Sequence, residues 1–196
     1  MTTTRHAEPP VHRTLPQAID LVLEENRKVL GQIDHVSVEQ LAEAILGAKR
    51  IFVVGEGRSG LAVRMLAMRL MHLGCSVHVQ GETTTPALRK GDLIIALSGS
   101  GSTGMVSMAA GVAKGIGARV IAITTQTSSP LAAIADLVIQ IQASAKQDQS
   151  GRQSKQFAGS LFEQAAILLF DALFYVLSGR LEKDAQTLWQ QHTNLE

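Results

Sequence analysis

At two points in this 196-residue sequence, a short apolar run stops at a stretch of glycine and serine that in turn opens a helix. Ile51-Phe52-Val53-Val54 runs into Gly55-Glu56-Gly57-Arg58-Ser59-Gly60, and Leu93-Ile94-Ile95-Ala96-Leu97 runs into Ser98-Gly99-Ser100-Gly101-Ser102-Thr103-Gly104. A continuous apolar run rich in β-branched residues reads as a strand buried on both faces. Such strands belong to a parallel sheet with helices covering both sides. The rest of the chain keeps the alternation: helices are expected over 59–73, 102–116 and 130–135, and further strands over 76–80, 119–123 and 137–141. The predicted fold is α/β, a three-layer αβα sandwich around a five-stranded parallel sheet, with ligands outside the C-terminal strand ends.

Two helices precede the sheet. In the first, from Pro16, Ile19, Val22, Leu23, Asn26, Leu30 and Ile33 fall largely on one face. The second is expected from Ser37, which with Gln40 has the form of a capping box. Residues 1–14 read as a flexible lead-in and 15–196 as one domain. The polar stretch 142–158 reads as a long exposed loop, a kind of segment that often carries function. After it, 160–177 reads as a helix with only Glu163 and Asp171 as charges, and 180–191 as a last helix. A helix apolar on every face must be covered on every face, which points to a subunit interface and a homo-oligomer, the alternative being a central packing helix.

Composition narrows the function. Apolar residues make up 45% and charged residues 18%, which is incompatible with general disorder. The net charge is +1 and no Lys/Arg run exceeds two residues, so nothing marks a nucleic-acid surface. The single cysteine, Cys75, and six scattered histidines give no disulfide and no metal-ligand spacing, so no metal is expected. The N-terminus lacks an apolar signal core. No stretch is expected to reach the ~20 apolar residues that span a bilayer, so a cytoplasmic location is expected.

The chemistry lies in the loops. Helix-start amides, the helix dipole, Arg58 and Ser59 make the first loop an anion site. Its G-x-G-x-x-G spacing also fits a dinucleotide site, but the ribose-binding acid has only Glu82, past the second strand, to supply it. The second loop offers four hydroxyls, on Ser98, Ser100, Ser102 and Thr103, among glycines and without lysine. That cup suits a phosphomonoester held without Mg²⁺. Gly81-Glu82-Thr83-Thr84-Thr85-Pro86 follows the second strand, and its threonines could orient sugar hydroxyls. Gly159-Ser160-Leu161-Phe162-Glu163 opens the apolar helix; Ser160 and Glu163 have capping-box spacing, and Glu163 is also a candidate base.

Together GxGRSG, GETTTP, SGSGxT, the (S/T)xFE helix start and the closing His192-Thr193-Asn194-Leu195-Glu196 resemble the 6-phospho-3-hexuloisomerase family of sugar isomerase (SIS) domains. The resemblance runs from the first strand to the C-terminus. It implies a flavodoxin-like SIS fold and interconversion of D-arabino-hex-3-ulose 6-phosphate and D-fructose 6-phosphate through a cis-enediol. It implies no cofactor, a homotetramer, and coupling to 3-hexulose-6-phosphate synthase in the ribulose monophosphate route of formaldehyde fixation or detoxification. It implies that Ser59 and Ser98, Gly99, Ser100, Gly101, Ser102 and Thr103 hold the phosphate, and that Glu163 moves the proton. His192 is implied near a neighbouring subunit's site. Arg58, Thr83 and Thr84 complete the expected substrate contacts. The alternatives are an SIS isomerase of another sugar phosphate, a non-catalytic phosphosugar-binding domain, and a dinucleotide-dependent dehydrogenase.

Overall fold

The computed structural model describes residues 14–144 and 154–195. Most of the expected 142–158 loop and nearly all of the 1–14 lead-in lie outside the described residues. The elements run α1 (Leu15–Leu30), α2 (His35–Gly47), β1 (Ile51–Gly55), α3 (Gly57–His72), β2 (Val77–Val79), β3 (Leu93–Leu97), α4 (Gly104–Ile116), β4 (Arg119–Thr124), α5 (Pro130–Ile134), β5 (Leu137–Gln140), α6 (Ser160–Arg180) and α7 (Ala185–Trp189). The five strands form one all-parallel sheet in the order β2-β1-β3-β4-β5, as the alternation predicts.

The continuous apolar strands are explained by what covers each face. Successive side chains on a strand point to opposite faces. Ile51, Val53, Leu93, Ile95, Leu97, Ile121 and Ile123 join one core with residues of α1, α2, α3 and α6. Phe52, Val54, Ile94, Ala96, Val120 and Ala122 join a second core with α4 and α5. At the N-terminal end of β3, buried Asp92 accepts from Arg50 Nε at 3.1 Å and from the Arg89 amide at 2.6 Å.

Three expectations about helices change. α2 starts at His35, capped by Asp34, whose carboxylate accepts from the Val36 and Ser37 amides at 3.1 and 3.3 Å. Ser37, expected as the cap, instead donates its hydroxyl to Asp34 at 2.6 Å. The expected last helix divides: α6 continues to Arg180, and only five residues, capped by Asp184, form α7.

α6 corrects one reading and bears on another. At 21 residues with a mean hydropathy of 1.6 it is long and apolar enough to cross a membrane, although no such stretch was expected. Here it packs on α3 and α1 and buries Leu161, Phe162, Ala165, Ala166, Leu169, Phe170, Leu173 and Leu177. Packing within the chain thus accounts for much of its apolar surface, so that surface does not itself require a second subunit. It is also not covered all round, since Leu168, Tyr175 and Val176 are exposed.

Candidate active site

Gly55 of β1 pairs with Leu97 of β3, so the two Gly/Ser loops leave adjacent strand ends. This is the point where strand order reverses, the ligand-binding place of doubly wound sheets. α3 begins at Gly57, two residues earlier than expected, so Arg58 and Ser59 already lie in its first turn. Amides in a first turn have no partner within the helix.

Both side chains reach α6. The buried Ser59 hydroxyl donates to Glu163 Oε1 at 2.9 Å, and Arg58 Nε donates to Glu163 Oε2 at 3.3 Å. Arg58 and Ser59, expected to grip a phosphate, are instead spent on the carboxylate here. The guanidinium carries further N–H donors, and the Arg58 side chain is 59% exposed, so it can meet an anion as well. The Glu163 side chain is 14% exposed. The capping box expected of Ser160 and Glu163 is not formed. Gly159 is the N-cap at φ +74°, and the Ser160 hydroxyl donates to the Phe157 carbonyl at 2.7 Å.

The second loop is braced from within. Buried Ser98 shares a hydrogen bond with the Thr103 hydroxyl at 2.9 Å and accepts from the Gly101 amide at 3.2 Å. Gly101 adopts φ +61°, and a Cβ there would fall 2.0 Å from Ser129 Oγ, so only glycine fits. Ser98, Gly101 and Thr103 therefore shape the loop, whereas Ser100 and Ser102 face solvent, with Ser102 Oγ donating to Ser100 Oγ at 3.1 Å. α4 starts at Gly104 after Thr103, rather than at Ser102. Although α3 and α4 cover opposite faces of the sheet, both begin at the C-terminal ends of adjacent strands, so their first-turn amides open at the same edge. Gly99 lies against the Phe162 ring: a Cβ on Gly99 would sit 3.1 Å from Phe162 Cδ1. Adjacent residues of α6 thus touch both loops, Phe162 the second and Glu163 the first. The sequence did not assign Phe162 to the second loop; its place before the glutamate on a buried helix face was the available signal.

Two expected contributions are not brought to this junction. Thr83 and Thr84 are exposed beyond the edge strand β2. Their turn is held by Thr85 Oγ1 donating to the Val79 carbonyl and by an Arg64–Glu82 ion pair. Glu82, engaged with Arg64, is not a free ribose acceptor. A hollow of about 340 Å³, lined by Gly55, Glu56, Arg64, Gln80, Gly81 and Met105 among others, separates that turn from the first loop. His192 stacks between Trp189 and His72 at ring distances of 5.0 and 5.4 Å. His72 ends α3, while Ser59 begins it, and at ~1.5 Å per residue the two lie about 20 Å apart. Within one chain His192 is therefore at the far end of the molecule from Glu163. Burial, then His192 and Arg69, hold the His72 pKa below its ordinary value.

Residues 44–168 match the SIS domain family. A Mycobacterium gastri protein named 3-hexulose-6-phosphate isomerase is 47% identical, over 91% of this chain and 89% of its own. A protein of the same name from Bacillus subtilis (strain 168) is 39% identical, over 89% and 95%. The crystal structure of a Methanococcus jannaschii protein, from which a 3-hexulose-6-phosphate isomerase function was inferred, superposes with a TM-score of 0.79 at 34% identity, covering 91% of this chain and 99% of that one.

Proposed function

This chain belongs to the SIS domain family and is a sugar-phosphate isomerase, and on that premise we propose that it interconverts D-arabino-hex-3-ulose 6-phosphate and D-fructose 6-phosphate. The observation that carries the proposal is the convergence on α6: Glu163 is held by Ser59 and Arg58 of one loop while Phe162 beside it rests on Gly99 of the other. A carboxylate is thereby fixed at a set distance from an anion-binding cup.

The substrate phosphate sits against the first-turn amides of α3 and α4, the Ser100 and Ser102 hydroxyls, and the free donors of Arg58. With the phosphate anchored, the C2–C3 region of the sugar reaches Glu163. The carboxylate takes the C2 proton, the C2 electron pair forms the C2=C3 bond, and the C3 carbonyl oxygen becomes the second enediol oxygen. Glu163 then returns the proton to C3 as O2 gives up its own and C2 becomes the carbonyl. No oxidant or cofactor enters this balance. Ser59 and Arg58 keep the carboxylate aimed, and such a positioned base contributes ~10²–10⁴-fold. The phosphate anchor adds the advantage of orientation. O2 passes its proton to O3, with His192 from a neighbouring copy in a homotetramer as the proposed relay, while Thr83 and Thr84 of the β2 turn are proposed only as donors to the sugar oxygens should that turn close on the substrate.

The proposed reaction would consume the product of a 3-hexulose-6-phosphate synthase and so belong to the ribulose monophosphate route of formaldehyde fixation or detoxification, with the cytoplasm as the proposed location. The test supplies hexulose 6-phosphate, made by that synthase from formaldehyde and ribulose 5-phosphate, and assays fructose 6-phosphate. Formation dependent on this protein is the expected result. No turnover, alongside isomerisation of an aldose phosphate, would reassign the substrate.

A further inference from the structure

Resting on the phosphate reading above, we propose that Thr125, aided by Thr124, is a positioning residue that sets the Gly99–Ser100 peptide so that the Ser100 N–H meets the substrate phosphate. The Gly99 carbonyl accepts from the Thr125 amide at 3.0 Å, from Thr125 Oγ1 at 2.9 Å and from Thr124 Oγ1 at 3.1 Å. Three donors converge on an oxygen with two lone pairs. In a planar trans peptide the C=O and the following N–H point in opposite directions. Because β3 lies between β1 and β4, a carbonyl tethered to the end of β4 turns the Ser100 N–H toward β1 and the first turn of α3. That amide has no hydrogen-bond partner among the described residues.

The tether is itself fixed. Thr124 is fully buried and Thr125 is 6% exposed, with both hydroxyls engaged on the Gly99 carbonyl. Thr124 Oγ1 accepts from the Gln126 amide at 3.2 Å, Thr125 Oγ1 accepts from Gln126 Nε2 at 3.3 Å, and Gln140 Nε2 donates to the Thr125 carbonyl at 3.2 Å. Phe162 closes the other side of Gly99. A donor held in place before the anion arrives needs no reorganisation on binding. Without the tether, the peptide is free to turn and present its oxygen to a dianion.

Thr125→Val keeps the side chain's shape and the backbone amide but removes the hydroxyl. The expected result is that KM for fructose 6-phosphate and Ki for inorganic phosphate rise together by about tenfold, while kcat changes far less. Thr125→Ser should restore both constants, which a purely structural role for the side chain would not predict. A folded Thr125→Val protein, judged by its thermal midpoint, with unchanged KM and Ki overturns the inference. So does a loss confined to kcat. If the valine variant does not fold, the wild type decides by amide NMR during titration with inorganic phosphate. A shift of the Ser100 amide supports the proposal. Shifts in the Gly57–Ser59 and Gly104–Val106 amides without Ser100 overturn it and leave the phosphate site standing. No shift in any of them removes the phosphate reading as well.

Discussion

At the scale of single residues, Ser59 changes meaning most between sequence and structure. Read along the chain, it is a hydroxyl in an anion loop. In three dimensions it donates to Glu163, a contact spanning 104 positions that no local spacing could announce. The distinction is measurable. Glu163→Gln should lower kcat by ~10²–10⁴-fold with KM nearly unchanged. Ser59→Ala, which removes one hydrogen bond to a charged group worth ~1.5–3 kcal/mol, should also act mainly on kcat; steady-state kinetics of the two variants checks both. If Ser59 served the phosphate alone, its loss would appear in KM. The four loop hydroxyls divide in the same way: the sequence identified the cup, but only folding separates Ser98 and Thr103, which brace it, from Ser100 and Ser102, which face outward.

At the scale of elements, the sheet was readable because burial on both faces leaves an unbroken apolar run, and each predicted strand lies within a residue or two of the observed one. Helix starts were less readable. A cap depends on which of several nearby oxygens meets the free amides, and Asp34, Ser37 and Ser160 all carry suitable ones. Asp34 caps α2, Ser37 bonds back to it, and Ser160 turns to Phe157. Asp34→Ala should therefore lower the unfolding midpoint, as losing an N-cap does, whereas Ser37→Ala, which leaves both capped amides their acceptor, should lower it less. Thermal or urea denaturation of the pair checks this. The apolar character of α6 was correctly seen, but a sequence does not reveal whether an apolar face meets its own chain or another; here α1 and α3 cover part of it, and Leu168, Tyr175 and Val176 stay exposed.

At the scale of the whole molecule, stability and folding both trace to the parallel sheet. Burial disfavours the charged Asp92 carboxylate, but Arg50 and the Arg89 amide outweigh that and hold its pKa below the ordinary 3.8. A carboxyl depressed in the folded state contributes stability that is complete above its unfolded pKa and lost as pH falls through the folded one. Thermal midpoints should therefore decline below about pH 4, and Asp92→Asn should lower the neutral-pH midpoint while flattening that decline. Asp136, held down by Lys114 and the Val120 amide against the effect of burial, adds to the same acid limb. The strand order has a consequence for synthesis. β1 is the first strand to leave the ribosome, yet it lies between β2 and β3. Its five residues, buried apart from Gly55, gain a second neighbour only when the far side of a crossover has been translated. Until Leu97 emerges, the nascent chain carries one bare, sticky edge, and that interval is when a chaperone has most to shield.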